Sequence, residues 1–187
     1  MSWIQTYTGK AFYHMSPRPE QVDIRDIAHH LAATNRFNGA LRRPISVAQH
    51  SVMVARHLST EDAIHGLLHD AHEAYMPDFA RPLKHIWHAH FQQYPPFIVT
   101  VNTVEVRILR CIYDALHLHY PGLHAQNRIH IEDARCLMTE KRDLMSKEPM
   151  PWSVCADPWP ERMCSWPYRR AEKEFLHVYK HLKGTAR

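Results

Sequence analysis

The amino-acid sequence predicts an all-α protein that folds as one domain over residues 1–187. Only 5 glycines occur against 13 prolines, and long alternating runs of valine, isoleucine and threonine are missing. This composition favours helices joined by Pro-marked loops over sheets. Apolar residues recur at three- and four-residue spacing in most of the chain, as in amphipathic helices. A length of 187 residues is about one domain and can bury a substantial core.

The apolar spacing predicts six helices. Asp23 and Ser46 are suitable N-caps for the first two, because their side chains can accept hydrogen bonds from the free N–H groups of a helix start. The third begins with the run Ser59-Thr60-Glu61-Asp62, whose acids suit a first turn. The predicted helices cover residues 22–35, 47–58, 60–75, 97–118, 129–145 and 168–182. Residues 1–22 are predicted to be an irregular N-terminal segment, and residues 147–167 a Pro/Trp-rich loop packed by its tryptophans.

Charge and cysteine content exclude several classes of protein. The formal net charge is +4, but the basic residues are scattered apart from Arg42-Arg43 and Arg169-Arg170, whereas a nucleic-acid interface clusters them. We therefore expect no stable nucleic-acid complex, and the mild basicity suits an anionic small ligand. The four cysteines share no CxxC spacing, so we predict that they are reduced. No apolar run is long enough to span a membrane and Met1–Gln5 lack signal-peptide features, so we expect a cytoplasmic protein without membrane contact.

Residues 65–78 contain six potential metal ligands or acid-base groups within fourteen positions. Winding this stretch as a helix places His69 and Glu73 on one line, four residues apart, with Asp70 beside them. A solvated polar face is the ordinary explanation of such residues. Two features favour a functional site. The polar groups are His, Asp and Glu rather than Lys and Glu, and the helix leads directly into a proline-restricted loop that carries Asp78.

Three residues on other segments are candidates for the same site. His50 lies off the apolar stripe of the second helix, and considered alone it would be a partly exposed histidine. Asp133 lies at the edge of a buried helix face and needs a partner, since an unpaired buried ion is costly. That partner is Arg135, Arg142 or a metal. Arg36 lies in a basic, turn-rich loop, where it is either a surface arginine or a fork for phosphate.

His50, the pair His69-Asp70 and Asp133 make a set of two nitrogen and two oxygen donors. Such a set suits Mn, Co, Ni, Zn or Fe better than Ca or a thiolate-bound structural Zn. The order H…HD…D resembles that of the HD-domain phosphohydrolase superfamily, which has an all-helical fold. Residues 36–84, with RFNG…SVAQHS…LLHDAHEAYMPDFARPLK, are similar to the branch that includes 5'-deoxynucleotidases and dNTP triphosphohydrolases. The resemblance extends over most of the chain, through WIQTYTGKAF, EDARCLMTEKRDLM and the Trp/Pro-rich tail.

The resemblance implies a role for each of these residues. Four side chains would hold one divalent transition-metal ion, namely His50, His69, Asp70 and Asp133. Glu73 would position or deprotonate the attacking water, and Asp78 would aid proton transfer to the leaving oxygen. The residues implied to contact phosphate are Arg36, Lys84 and Arg81. A second divalent ion on the substrate phosphates is a further option. His65 and His72 are interpreted as polar residues of the helix face, because the ligand set is complete without them.

We therefore expect a metal-dependent phosphohydrolase that hydrolyses a phosphate ester of a nucleotide, a deoxynucleoside 5'-monophosphate or 5'-triphosphate. Two alternatives stay open. One is a cyclic (di)nucleotide phosphodiesterase, which the same site could support. The other is a non-catalytic nucleotide-binding sensor, which would not need both Glu73 and Asp78. A zinc protease is set aside because neither HExxH nor HxxEH occurs. Family habit implies a homo-oligomer, a dimer or higher.

Overall fold

Six α-helices form the framework of the described chain. The computed structural model describes residues 2–77, 79–80, 82–84, 86, 89 and 101–185. Its helices are α1 (Ile24–Ala33), α2 (Val47–His57), α3 (Thr60–Leu68), α4 (Val101–Ala115), α5 (Leu123–Leu144) and α6 (Tyr168–Thr185). Short 3-10 helices lie at Pro19–Gln21, Arg36–Gly39 and Ala71–Ala74. The prediction of an all-α, single-domain fold is confirmed.

Capping side chains begin the first two helices where the sequence predicts them. The Asp23 carboxylate accepts a hydrogen bond from the N–H of Arg25 (2.9 Å). The Ser46 hydroxyl accepts one from the N–H of Gln49 (3.2 Å). Each bond satisfies a backbone donor that a helix start leaves free. The start predicted for the fourth helix, residues 97–100, lies outside the described residues.

The N-terminal segment and the start of the fifth helix differ from the prediction. The N-terminal segment is not wholly irregular, because strand β1 (Ile4–Gln5) pairs antiparallel with strand β2 (Ala11–Phe12). Gly9, with φ of 86°, supplies the left-handed residue between them. Strands of two residues are too short to show a pattern of alternation. α5 begins at Leu123, six residues before the predicted Ile129.

The third helix is shorter than predicted, and its break positions the His69-Asp70 pair. α3 ends at Leu68, and Asp70 has φ −103° and ψ 15° before the Ala71–Ala74 3-10 helix. His69 Nδ1–H donates to the Gly66 carbonyl (2.7 Å), which in a continuous α-helix would accept from the Asp70 amide. The prediction of one continuous helix is therefore wrong, because a side chain competes with the backbone for this carbonyl.

α2 lies at the centre of the fold, with contacts to α1, α3, α5 and α6. Its residues Val47, Ala48, Val52 and Val54 are fully buried, and so is His50. Of its eleven residues only Arg56 is exposed. A buried polar side chain on α2, such as His50, must therefore find its partners inside the protein.

Residues 147–167 contain neither helix nor strand, as predicted, and one tryptophan anchors this loop. Trp159 is buried. Its indole N–H donates to Glu132 Oε2 and its backbone N–H to Thr139 Oγ1, both at 2.8 Å. Its ring stacks on that of His57, with the centroids 3.5 Å apart. These contacts attach the loop to α5 and α2.

Replacing Trp159 by alanine is expected to lower the free energy of unfolding by about 3–5 kcal/mol, the usual loss when a large buried aromatic residue is removed. Trp159→Phe keeps most of the apolar volume and should lose less. The matched control is Trp152→Ala, because Trp152 lies in the same loop but is only half-buried. Denaturant titration followed by circular dichroism measures the three values. Equal losses for the two alanine variants would contradict the anchoring role.

A second contact between helices is sensitive to pH. Arg128 on α5 donates through Nε to Asp62 Oδ2 (2.5 Å) and through Nη2 to Oδ1 (3.0 Å). Hydrogen bonding to Arg128 holds the pKa of Asp62 below its usual value. Because this pKa is lower in the folded protein than in the unfolded chain, the carboxylate stabilises the fold above its ordinary pKa. That contribution is lost as the pH falls through the folded pKa.

We expect the difference in melting temperature between wild type and Asp62→Asn to be largest near neutral pH. It should shrink as the pH falls below about 4, the ordinary carboxyl pKa. Thermal melts of both proteins across this range measure the difference, and comparison at each pH removes the effect of other titrating groups. A difference that stays constant down to about pH 2 would mean that the charge of Asp62 does not contribute.

The four cysteines are free, which agrees with the prediction that they are reduced. Cys111 and Cys136 are buried, whereas Cys155 and Cys164 are exposed. Among the residues that the structure describes, no helix combines the length and apolar character needed to cross a membrane.

Candidate metal centre

Two histidines and two carboxylates meet where α2, α3 and α5 come together. His50 projects from α2, His69 and Asp70 follow α3, and Asp133 lies on α5. His50 Nε2 lies 3.1 Å from Asp133 Oδ1 and 3.4 Å from His69 Nε2. Asp70 Oδ2 lies 3.1 Å from His69 Nε2 and 3.8 Å from His50 Nε2. The structure thus brings together the four side chains that the sequence assigns to a metal.

The spacing of these atoms fits a single ion. Two donor atoms that each lie about 2.0–2.2 Å from one metal are about 2.8–3.6 Å apart in cis-octahedral or tetrahedral geometry. The separations between a histidine nitrogen and another donor of the set run from 3.1 Å to the 4.0 Å between His69 Nε2 and Asp133 Oδ1. The two widest, 3.8 and 4.0 Å, would have to shorten when a metal binds. The group could therefore hold a metal ion.

Hydrogen bonds on the far side of each ring set which nitrogen faces the cluster. His50 Nδ1–H donates to Glu140 Oε1 (2.8 Å), and His69 Nδ1–H donates to the Gly66 carbonyl (2.7 Å). With a proton on each Nδ1, both Nε2 atoms present a lone pair to the same point. Partners of this kind orient the histidine ligands of metal sites.

The electrostatics of the cluster favour positive charge at its centre. Burial lowers the pKa of His69, but Asp70 and Asp133 outweigh it and raise that pKa to about 9. Burial raises the pKa of Asp133, but His50 and His69 outweigh it and lower that pKa to about 2. The pKa of Asp70 falls well below its usual value, because His69 outweighs the effect of burial. Two ionised carboxylates in a poorly solvated site attract a cation strongly.

The site opens toward solvent on one side. The His50 side chain is 0% exposed, against 19% for Asp70 and 24% for Asp133. His50 therefore forms the floor of the site and the carboxylates lie nearer its mouth, which leaves an approach for water and a ligand. The interpretation of His50 as a partly exposed histidine is wrong, because α2 is enclosed by other helices.

The partner that Asp133 needs is not one of the two arginines considered from the sequence. Arg135 donates to Glu132 Oε1 (3.2 Å), and Arg142 donates to Asp143 Oδ1 (2.8 Å). Asp133 faces the histidine pair instead. Of the alternatives open in the sequence, a metal ion shared with these histidines fits this position.

Arg36 lies inside the protein rather than on its surface. It is only 9% exposed. Its Nε–H donates to Glu140 Oε2 (3.0 Å), and its Nη1 lies 3.8 Å from Asp70 Oδ2. The surface interpretation of Arg36 is therefore wrong, whereas a contact with phosphate stays a prediction.

Glu140 is the residue that the sequence interpretation missed. It is fully buried on α5 and accepts hydrogen bonds from both His50 and Arg36. Burial raises the pKa of Glu140, but Arg36 and His50 outweigh it, so the net shift is downward. The sequence position of Glu140 could have identified it. Glu140 follows Asp133 by seven residues, two helical turns, and so lies on the same face of α5.

Cys136 lies between these two acids, with Sγ 3.7 Å from Glu140 Oε1. His50, Cys136 and Glu140 are close enough to form a second metal-binding group. However, both oxygens of Glu140 already accept hydrogen bonds, and burial raises the pKa of Cys136 well above its usual value. A thiol that keeps its proton is a poor metal ligand. We therefore interpret this group as the support behind His50.

The remaining predicted site residues are only partly described. Glu73 is buried on the 3-10 helix that follows Asp70. Lys84 Nζ lies 2.8 Å from Glu105 Oε1 on α4. Asp78 and Arg81 lie outside the described residues.

The two additional histidines contact α4. His65 Nδ1 lies 3.2 Å from the hydroxyl of Tyr113, and the two rings stack. His72 is buried, with Nε2 3.8 Å from Glu105 Oε1. Neither residue supplies one of the four converging donor atoms.

Comparison with known proteins yields partial similarity. No protein-family model matches the chain. YfdR of Escherichia coli (strain K12), an uncharacterized protein, is 42% identical over 86 residues, which are 46% of this chain and 48% of YfdR. An uncharacterized protein of Rhodobacter capsulatus is 32% identical over 92 residues, 44% of this chain and 47% of that protein. The chain spans about half the length of the curated relatives it matches.

Proposed function

We propose that the chain is a metal-dependent phosphohydrolase that acts on a nucleotide, with a deoxynucleoside 5'-monophosphate or 5'-triphosphate as substrate. One observation carries this function. The Nε2 atoms of His50 and His69 converge with carboxylate oxygens of Asp70 and Asp133 at 3.1–4.0 Å, and a buried acid, Glu73, follows on the next turn. The order H…HD…D and its resemblance to HD-domain phosphohydrolases support the reaction class.

The mixed nitrogen and oxygen donors suit one divalent transition-metal ion, Mn, Co, Zn, Ni or Fe. When bound, such an ion lowers the pKa of a coordinated water and polarises the phosphoryl group. A second divalent ion on the substrate phosphates belongs to the same proposal. We further propose a cytoplasmic homo-oligomer, on the basis of the family resemblance alone.

The protein's own groups move the protons. Glu73 accepts a proton from the water whose oxygen attacks phosphorus, while the bond between phosphorus and the nucleotide's 5'-oxygen breaks. The leaving oxygen takes up a proton, a transfer that the resemblance assigns to Asp78. Transfers of this kind contribute about 10²–10⁴-fold to a rate. Lys84 and Arg81 contact the phosphate oxygens by charge-assisted hydrogen bonds.

An open groove lined by Glu73, but by none of the four proposed metal ligands, is the candidate site for the nucleoside half of the substrate. Its volume is about 630 Å³, and its walls include Tyr7, His29, His30 and Met76. This volume lies within the range of about 300–1,000 Å³ typical of small-molecule sites. Tyr7 is 60% exposed and stacks on His29 with the centroids 3.7 Å apart. We propose that the ring face opposite His29 stacks against a base.

Chromatographic product analysis tests the function. Protein loaded with Mn²⁺ or Co²⁺ is incubated in parallel with dAMP, dATP, dGTP and a cyclic dinucleotide. Nucleoside and phosphate from dAMP would make it a 5'-nucleotidase, and nucleoside and triphosphate from dATP or dGTP a triphosphohydrolase. Linear products from the cyclic dinucleotide alone would favour the phosphodiesterase alternative. Absence of turnover by protein that holds metal and nucleotide would favour the sensor.

A further inference from the structure

A buried chain of charged groups runs from a loop to the floor of the metal centre. His50 Nδ1–H donates to one oxygen of Glu140 (2.8 Å), and Arg36 Nε–H donates to the other (3.0 Å). The side chains of His50 and Glu140 are 0% exposed, and that of Arg36 is 10% exposed. The three residues come from α2, α5 and the Arg36–Gly39 3-10 helix.

Each link in this chain has a physical reason. His50 can present its Nε2 lone pair to a metal only while its proton stays on Nδ1, and Glu140 accepts that proton's hydrogen bond. A fully buried carboxylate is costly unless it is paired. Arg36 supplies the pairing cation and fixes the second oxygen of Glu140. The geometry of His50 therefore depends on Glu140 directly and on Arg36 through Glu140.

The backbone of the loop is shaped to hold Arg36 in this place. The backbone N–H of Arg36 donates to the Ile45 carbonyl (3.0 Å). This hydrogen bond joins the loop to the segment just before α2. Phe37 and Asn38 have φ of 55° and 50°, the left-handed region that residues other than glycine rarely adopt. Such strained residues persist where the surrounding structure requires them. Here the strained turn follows directly on an arginine that points into the core.

We propose that Glu140 and Arg36 are positioning residues of the metal centre, with Arg36 acting on His50 through Glu140. These roles rest on the proposed metal-dependent function, but they concern the binding of metal before any nucleotide is present. The family resemblance instead assigns Arg36 to phosphate, a role in which its loss would not weaken the affinity for metal alone. The two roles therefore give different results with metal alone.

The decisive measurement is the affinity for Mn²⁺ without nucleotide, by calorimetric titration of metal-free protein. Arg36→Met and Glu140→Gln are expected to weaken it by about 10–100-fold, as loss of groups that orient metal ligands usually does. For Arg36→Met, the direction of the change in Mn²⁺ affinity is informative. Removing a cation 3.8 Å from Asp70 would by Coulomb attraction alone strengthen the binding of a divalent cation. Weaker binding thus requires a positioning role.

A matched control and a double variant complete the design. Arg43→Met removes the same charge from an exposed position in the same loop and should leave the affinity unchanged. In the Glu140→Gln background, Arg36→Met should weaken Mn²⁺ binding little further, because Arg36 acts through Glu140. The double variant also leaves no unpaired buried charge, so it provides a folded protein if Arg36→Met alone does not fold, as checked by circular dichroism.

Wild-type or stronger affinity for Mn²⁺ in folded Arg36→Met, with a raised KM for the nucleotide, would overturn the positioning role and favour the phosphate contact. Additive losses in the double variant would overturn the route through Glu140. A wild-type protein that binds no Mn²⁺, Co²⁺ or Zn²⁺ would overturn the metal-dependent function itself. The failures of the two proposals are therefore distinguishable.

Discussion

Glu73→Gln is expected to lower nucleotide turnover by about 10²–10⁴-fold, the usual contribution of a positioned general base, while metal and nucleotide still bind. Glutamine has nearly the same shape as glutamate but cannot accept a proton at neutral pH. Glu73 is buried on the short helix directly after Asp70. Steady-state kinetics with the best substrate of the product analysis measures the loss in kcat.

The comparison needs evidence that only the chemical step has changed. Elemental analysis should give the wild-type metal content for Glu73→Gln, and calorimetric titration should give a similar nucleotide affinity. Glu61→Gln is the matched control, because Glu61 is an exposed acid in the first turn of α3, and it should keep full activity. Full activity in Glu73→Gln would remove the residue from the mechanism. A loss of metal in that variant would make it a structural residue of the metal centre.

The starts of the first two helices and the His69-Asp70 pair could be predicted because both are local in sequence, whereas His50 and Asp133 were added to the proposed ligand set by the family resemblance. A cap such as Asp23 or Ser46 acts on N–H groups two or three residues away, so its effect is visible in a short window. The His69-Asp70 pair is adjacent in the chain, and its position within a His-, Asp- and Glu-rich helix face was enough to single it out. The break at Asp70 was not visible, because helical spacing continues across it.

The supporting charges could not be predicted in the same way, because their contacts join distant parts of the chain. Glu140 lies 90 residues from His50 and 104 residues from Arg36. From the sequence alone, an arginine in a basic loop is interpreted as a surface residue. Only the structure shows the buried acid with which it pairs. The seven-residue spacing from Asp133 marked the correct face of α5, but spacing alone does not distinguish a supporting acid from an exposed one.

Loss of Asp70 should have the other large effect, on metal binding and on the stability that metal confers. Its Oδ2 is one of the four converging donors, 3.1 Å from His69 Nε2. A ligand present at 100 times its dissociation constant stabilises the folded state by about 2.7 kcal/mol, about 5–10 °C in the melting temperature of a domain this size. We expect Mn²⁺ to produce a shift of this order in the wild type and almost none in Asp70→Ala.

Melting each protein with and without Mn²⁺ removes any difference in metal-free stability, so the shift reports binding alone. Asp114→Ala is the control, because Asp114 is exposed on α4 and should keep the wild-type shift. Elemental analysis of the purified proteins should agree, with metal lost from Asp70→Ala and kept by the control. Unchanged metal content and an unchanged shift in Asp70→Ala would remove Asp70 from the ligand set. The centre would then consist of His50, His69 and Asp133, the three whose donor atoms all lie within 4.8 Å of one another.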